Sequence, residues 1–193
     1  MKKIILASAS PRRKDILNEV GIKPLVITSM VDESVIEGLS PEKAVMELAL
    51  LKGAAVAKMV EEDAVVIGAD TVVVLDGEIL GKPESMDEAT QMLKKLSGKW
   101  HSVLTGYCVI DAKSGEACAK YEETKVKFRE LDNGEINRYV NSHEPMDKAG
   151  SYGIQGKGRL FVEKIDGDYF NVVGLPVCAL GKMLKSEFGI DIL

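Results

Sequence analysis

The hydrophobic and polar positions along the chain alternate between short β-type runs and longer amphipathic helical segments. Apolar and β-branched runs predict strands at 3–7, 25–29, 64–68, 71–75, 78–80, 100–110, 117–128 and 160–165. Helical periodicity predicts helices at 11–20, from 41 to about 59 or 60, after 85 as far as Gly98, at 134–140, and after 174–176. This mixture, with long hairpin strands in the middle, predicts an α/β fold built on a mixed sheet rather than a strictly parallel one.

Local start and turn signals support these boundaries. Ser-Pro pairs at 10–11 and 40–41 combine a helix cap with proline at the first helical position. The spacing at 85–88 and at 132–135 is typical of a capping box. Asp-Gly at 76–77 favours a tight hairpin turn between two strands.

Composition narrows the class of protein. A chain of 193 residues with 46% hydrophobic composition suits a single domain over 1–193, compact or drawn out into two lobes. No apolar run is long enough to span a membrane, and arginines at 12 and 13 come too early for a signal peptide, so we expect a cytoplasmic protein without a membrane partner. A net charge of −5 argues against a broad nucleic-acid surface. The three cysteines, Cys108, Cys118 and Cys178, lack disulfide or zinc spacing and are predicted to be buried apolar fillers.

Two arginines stand where cations are disfavoured. Arg12 and Arg13 fall in the first turn of the first predicted helix, where the helix dipole presents positive charge. With Ser8 and Ser10 before them they form a plausible phosphate cradle of hydroxyls, helix N–H groups and guanidinium groups. The alternative is a pair of solvated surface arginines.

Lys52 and Asp70 also occupy unusual positions. Lys52 falls within the apolar stripe of the long helix, which is formed by Val45, Leu48, Ala55 and Met59. It therefore needs a carboxylate or phosphate partner, unless its side chain extends past the stripe into solvent. Asp70 interrupts the apolar run 65–75, which favours a metal ligand or general base, with an aspartate in a tight turn as the alternative.

The remaining candidates are weaker when taken singly. Lys82 adds a cation within Gly81-Lys82-Pro83, and Glu33 adds a carboxylate in a polar loop. The segment 150–158 carries several glycines without the spacing of a Walker loop; it is either a flexible connector or a loop in which the Gln155 amide reads a pyrimidine edge. The two histidines, at 101 and 143, are too few and scattered for a histidine metal site.

Together these segments resemble the Maf family of nucleotide pyrophosphatases over nearly the whole chain. The resemblance rests on Ser8-Ala9-Ser10-Pro11-Arg12-Arg13, the loop with Glu33, Lys52, Gly68-Ala69-Asp70-Thr71-Val72-Val73, Gly81-Lys82-Pro83, 147–156 and Asn171-Val172-Val173-Gly174-Leu175-Pro176. It implies an elongated, inosine-triphosphatase-like (Maf/Ham1) fold with two lobes around a cleft, commonly dimeric. It also implies metal-dependent hydrolysis of nucleoside triphosphates, with magnesium, manganese or cobalt, to monophosphate and pyrophosphate.

The resemblance also implies roles for individual residues. Catalytic roles fall to Asp70, Glu33, Lys52 and Lys82, substrate binding to Ser8, Ser10, Arg12, Arg13, Thr71 and Gln155, and metal binding to Glu33 and Asp70. Thr71 and Gln155 resemble the branch of the family that acts on dTTP and UTP, which predicts a house-cleaning pyrimidine pyrophosphatase, including modified pyrimidine nucleotides. The alternatives are a pyrophosphatase for ITP and XTP or for 7-methyl-GTP, and a regulator of septum formation that acts by binding.

Overall fold

The computed structural model describes residues 2–193, without the side chains of Glu33 and Val35. The strands are β1 (Lys3–Leu6), β2 (Leu25–Val26), β3 (Ala64–Leu75), β4 (Glu78–Leu80), β5 (Trp100–Asp111), β6 (Ala117–Phe128) and β7 (Val162–Asp166). The helices are α1 (Pro11–Glu19), α2 (Pro41–Ala57), α3 (Met86–Leu96), α4 (Asn133–Val140), α5 (Tyr169–Val173) and α6 (Val177–Phe188). Short 3₁₀ segments lie at Glu33–Ile36, Glu144–Asp147, Ala149–Ser151 and Lys157–Phe161.

The seven strands form a mixed sheet with helices packed on it, as the sequence predicts. Their order is β2-β1-β3-β5-β6-β7, and β4 pairs with β3. β1 is parallel to both β2 and β3, whereas β3 and β4, and also β6 and β7, are antiparallel. The residues divide into two compact units, and β3, β5 and β6 each contribute residues to both.

Unit 1 comprises the chain up to Asp70, Thr105–Glu122 and Gly174–Leu193. It therefore contains α1, α2 and α6 together with β1 and β2. Side chains from both helices and strands fill its core, with Leu6, Leu17, Ile67 and Leu180 completely buried. Removing this much apolar surface from water is the main force that holds the unit together.

Helix α2 lies unusually close to the sheet of unit 1. A Cβ atom on Gly68 of β3 would come within 2.3 Å of the Ala49 carbonyl oxygen, and one on Gly106 of β5 would come within 2.1 Å of the Val45 carbonyl oxygen. The Cys108 thiol donates a hydrogen bond to the Ala49 carbonyl at 3.1 Å, and burial raises the pKa of this thiol to about 12. The absence of side chains at positions 68 and 106 thus sets the distance between helix and sheet.

Unit 2 comprises Thr71–Leu104 and Glu123–Val173. Aromatic rings fill much of its core: His101, Phe128 and Tyr152 make edge-to-face contacts with centroids 4.7–5.4 Å apart. The His101 Nε2 atom lies 2.8 Å from the Tyr152 hydroxyl. Burial lowers the pKa of His101 to about 4, so this side chain is neutral near pH 7.

The helix starts predicted from the sequence are confirmed at Pro11 and Pro41, but neither Ser10 nor Ser40 makes the predicted side-chain cap hydrogen bond. The capping box of Asp132 and Glu135 is present. At α3 one half of the predicted capping box forms: the Ser85 hydroxyl accepts from the Glu88 N–H group, but the Glu88 carboxylate accepts from the Glu84 N–H group instead of that of Ser85. Three of the predicted strands were wrong. The apolar run 64–75 is one strand rather than two, the last strand begins at 162 because 157–161 forms a 3₁₀ turn, and the second strand covers only 25–26.

Two further predictions need correction. Of the three cysteines only Cys108 is buried, whereas Cys178 is exposed and Cys118 is half-buried, so they are not all core fillers. Met59 does not belong to the buried stripe of α2, because the helix ends at Ala57 and the Met59 side chain is 63% exposed. Within residues 2–193, no helix has the length and apolarity needed to cross a membrane.

Candidate active site

The segment after β1 fixes an arginine in place. The Ala7 N–H group donates to the Ile67 carbonyl at 2.8 Å, which extends the pairing with β3 to the residue before Ser8. Arg13 then donates through Nη1 to the Ser8 hydroxyl at 2.9 Å and through Nε to the Gly174 carbonyl at 2.8 Å. A guanidinium held at two of its nitrogens keeps a defined orientation, which suits recognition of a tetrahedral anion.

The charge on Arg13 is set by its surroundings within unit 1. Burial lowers the pKa of the guanidinium, the negative charge of Asp70 raises it, and the neighbouring charge of Arg12 lowers it again. The guanidinium keeps its positive charge, because arginine side chains are not deprotonated in proteins. Burial and a like charge therefore increase the benefit of binding an anion here.

Ser10 and Arg12 stand at the start of α1, as the sequence predicts. Ser10 precedes Pro11 at the helix N-terminus, and its side chain makes no capping hydrogen bond. Its N–H group instead donates to the Ser8 hydroxyl at 3.3 Å. Arg12 is half-buried in the first turn. The first turn of α1 contains no acidic residue. The positive end of the helix dipole is therefore not neutralised by a carboxylate of that turn.

Lys52 and Asp70 form an ion pair inside unit 1. The Lys52 Nζ atom lies 2.6 Å from Asp70 Oδ1, and the two side chains are only 21% and 16% exposed. Lys52 therefore has the carboxylate partner that its place on α2 requires, and it does not simply extend into solvent. Asp70 lies within β3 rather than in a tight turn, so the turn alternative was wrong.

Three further predicted residues belong to unit 2. Thr71 follows Asp70 in β3 and is half-buried, while Lys82 and Gln155 are both exposed. Lys82 comes directly after Gly81, whose carbonyl accepts a hydrogen bond of 3.0 Å from the Gly150 N–H group. The structure therefore brings the segment of Lys82 next to the start of the glycine-rich loop that carries Gln155.

The glycine-rich loop is ordered by contacts within unit 2 and is not a flexible connector. Tyr152, Ile154 and Gly158 are buried, whereas Gln155 between them is exposed. A Cβ atom on Gly150, which has φ +64°, would lie 2.8 Å from the side chain of Val73. Glycine is needed here because only glycine combines this backbone conformation with so close an approach.

Sequence reasoning missed the partners that orient these residues. The Gly174 carbonyl that holds Arg13 lies 161 positions away along the chain, and no local pattern connects the two. The Glu144 carboxylate, which anchors the glycine-rich loop, was also missed. Glu144 precedes a proline at the start of a short 3₁₀ helix, and nothing in this local sequence distinguishes it from an ordinary surface glutamate.

The resemblance implies a divalent metal, for which the described side chains offer few ligands. Among the side chains that the structure describes, no three His, Cys, Asp or Glu residues lie together as a metal cluster. Glu33, one of the two predicted ligands, has its side chain outside the described part of the structure. A single carboxylate such as that of Asp70 is compatible with a magnesium ion that takes its other ligands from substrate phosphates and water, as nucleotide-bound magnesium usually does.

The fold and these charged residues define a class of protein. The chain is similar to the Ham1 protein of Staphylococcus aureus, with a TM-score of 0.56 over 96% of this chain and 100% of that chain at 18% identity. At that identity the likeness shows the shared fold: a mixed α/β sheet of the Ham1 type. The particular family follows from the sequence, because residues 3–187 match the family model described as Maf-like protein, and the chain belongs to the Maf family.

Relatives of high identity cover the chain from end to end. A dTTP/UTP pyrophosphatase of Alkaliphilus oremlandii is 51% identical over 100% of both chains. A dTTP/UTP pyrophosphatase of Bacillus cereus is 51% identical over 100% of this chain and 98% of its own. The similarity therefore extends over both units.

Proposed function

We propose that this chain hydrolyses dTTP and UTP to the nucleoside monophosphate and pyrophosphate. The observation that carries the proposal is the Lys52–Asp70 ion pair of 2.6 Å in unit 1, the same unit in which Ser8 and Gly174 orient Arg13. A half-buried carboxylate and half-buried cations in one unit suit attack by water on a phosphoanhydride. The names of relatives that match the whole chain at about half identity support the substrate class.

Binding would begin with the phosphates at the start of α1. The helix N–H groups, the hydroxyls of Ser8 and Ser10, and the guanidinium groups of Arg12 and Arg13 supply hydrogen bonds for phosphate oxygens. Two of the nitrogens of Arg13 are already engaged by the protein, so little orientation remains to be lost on binding.

The chemical step requires a base for the attacking water. Asp70 would take a proton from a water molecule as its oxygen bonds to the α-phosphorus, while the bond from that phosphorus to the α–β bridging oxygen breaks and pyrophosphate leaves. Lys52 would keep the carboxylate oriented through its hydrogen bond to Oδ1. A divalent metal bound with the substrate would neutralise charge that develops on the phosphates.

The remaining roles are part of the same proposal. Glu33 is proposed as a second acidic group for the metal, Lys82 as a further phosphate ligand, and Thr71 and Gln155 as the residues that select a pyrimidine. The donor and acceptor of the Gln155 amide match the hydrogen-bonding edge of uracil and thymine. The protein is further proposed to be a cytoplasmic homodimer with a house-cleaning role.

Release of pyrophosphate across a panel of nucleotides tests this function. With magnesium or manganese, we expect turnover of dTTP and UTP to exceed that of CTP, 7-methyl-GTP and ITP. Asp70→Asn should lower kcat by about a thousandfold or more, because it removes the base, whereas Asp76→Asn in the exposed β3–β4 turn should not. A preference for ITP would contradict the substrate, and near-normal turnover of Asp70→Asn would contradict the role of Asp70.

A further inference from the structure

The glycine-rich loop 150–158 is held from one side by a single carboxylate. Glu144 Oε2 accepts a hydrogen bond from the Lys157 N–H group at 3.1 Å, and Oε1 accepts one from the Gly158 N–H group at 3.3 Å. Oε1 also accepts from the Tyr139 hydroxyl at 3.1 Å. That hydroxyl in turn accepts from the Gly153 N–H group at 3.1 Å. One carboxylate and one phenol thus engage main-chain donors on both sides of Gln155.

The glycines of the loop are matched to this anchor. A Cβ atom on Gly156 would lie 2.0 Å from Glu144 Oε1, and one on Gly158 would lie 2.8 Å from the Tyr139 hydroxyl. Any side chain at either position would displace the anchoring group. The glycine spacing, which fits no phosphate-binding motif, is explained by the need to let Glu144 and Tyr139 reach the backbone.

Glu144 is itself fixed in place. Lys148 donates from Nζ to the Glu144 carbonyl at 2.6 Å and to Asp147 Oδ1 at 2.6 Å, and its side chain is only 14% exposed. The stem of Lys148 also covers Gly153, where a Cβ atom would lie 2.7 Å from Lys148 Cε. Lys148 therefore links the backbone of this 3₁₀ helix to the loop, in addition to the hydrogen bonds that the Glu144 carboxylate accepts.

We propose that Glu144 is a positioning residue for base selection, because it holds the backbone that presents Gln155. Gln155 is exposed, whereas Ile154 before it is buried, and the N–H groups of Lys157 and Gly158 after it donate to the Glu144 carboxylate. A long, flexible amide discriminates between bases only if its backbone is held still, since a mobile donor adapts to either base. This inference rests on the proposed function, in which Gln155 reads the pyrimidine.

Glu144→Gln tests the positioning role of Glu144 most directly. It keeps the size of the side chain but replaces one acceptor oxygen with an NH₂ group, so that a main-chain N–H group of the loop loses its partner. We expect amide hydrogen exchange to become about tenfold faster at Lys157 or at Gly158, whichever N–H group faces the new NH₂ group, as for the loss of one hydrogen bond to a charged group. Glu163→Gln, at an exposed glutamate of β7, is the matched control and should leave that exchange unchanged.

Selectivity is measured as the ratio of kcat/KM for UTP to that for CTP in the full-length protein. We expect Glu144→Gln to lower this ratio toward that of Gln155→Ala, mainly through KM and with kcat for UTP changed by less than about threefold. The double variant Glu144→Gln/Gln155→Ala should be no less selective than Gln155→Ala alone, because both changes remove the same function. Tyr139→Phe, which removes only the hydroxyl, should change the ratio in the same direction and serves if Glu144→Gln does not fold.

The outcomes separate this inference from the function on which it rests. A ratio unchanged in Glu144→Gln and Tyr139→Phe, but changed in Gln155→Ala, would overturn the role of Glu144 and leave the proposed function standing. A ratio unchanged in Gln155→Ala would overturn base reading by Gln155, and the role of Glu144 with it. Absence of pyrophosphate release by the unmodified protein from UTP, dTTP and CTP would refute the proposed function itself.

Discussion

Replacing Lys52 with methionine should destabilise the protein by about 2 kcal/mol. Ion pairs on protein surfaces contribute about 0–1 kcal/mol, whereas removing one partner of a fully buried pair costs about 3–5 kcal/mol. The Lys52 and Asp70 side chains are 21% and 16% exposed, which places the pair between these limits. Methionine preserves most of the aliphatic packing on α2, so the cost comes from the Asp70 carboxylate that loses its ammonium partner.

Structure and sequence predict opposite signs for this change. From the apolar stripe alone, methionine at position 52 is expected to be tolerated or even stabilising. The carboxylate at 2.6 Å reverses that expectation, because the variant leaves a half-buried anion without the cation.

A double-mutant cycle measures the effect. Lys52→Met, Asp70→Asn and the double variant would be unfolded in urea, and the free energies of unfolding compared with that of the unmodified protein. We expect a coupling energy of about 1–2 kcal/mol, and a fall in Tm of about 4–8 °C for Lys52→Met in a chain of this size. A coupling energy near zero, with Lys52→Met as stable as the parent, would refute the argument that this pair stabilises unit 1.

Two other predictions concern the packing of each unit. Gly68→Ala should lower the free energy of unfolding by about 1–3 kcal/mol, because its Cβ atom would meet the Ala49 carbonyl at 2.3 Å, while Gly81→Ala, with open space around it, should leave thermal melting unchanged. Burial lowers the pKa of His101 to about 4. Between about pH 4 and 6.5 the unfolded chain therefore binds a proton at this residue that the folded protein does not bind. The folded protein loses stability as the pH falls through this range. The difference in free energy of unfolding between parent and His101→Gln should fall by about 3 kcal/mol from pH 7 to 4; parallel pH profiles for parent and His101→Gln would contradict this.

Local signals predicted the helix starts well. The Ser-Pro pairs and the capping box at Asp132 act within a few residues, so their meaning does not depend on the rest of the fold. Gly68 misled the strand prediction for the opposite reason. A glycine inside a strand suggests a bend, but here it admits the backbone of α2, which no local pattern reveals.

Sequence analysis could predict a site residue only where a charged side chain stands in an otherwise apolar segment. Lys52 in an apolar stripe and Asp70 in an apolar run both require partners, and the structure pairs them. Glu144 shows no such conflict in the sequence, because its partners are main-chain N–H groups of ordinary loop residues. Positioning groups that act through the backbone leave little trace in the composition of the chain.

The order of segments in unit 1 has a consequence for how the protein folds. This unit includes Gly174–Leu193, and the Gly174 carbonyl accepts the hydrogen bond from Arg13 Nε. Donor and acceptor lie 161 positions apart, so this hydrogen bond closes a long loop, and other contacts of the unit must offset the entropy cost of that closure. The orientation of Arg13 is therefore a property of the assembled unit and is not encoded in its own helix.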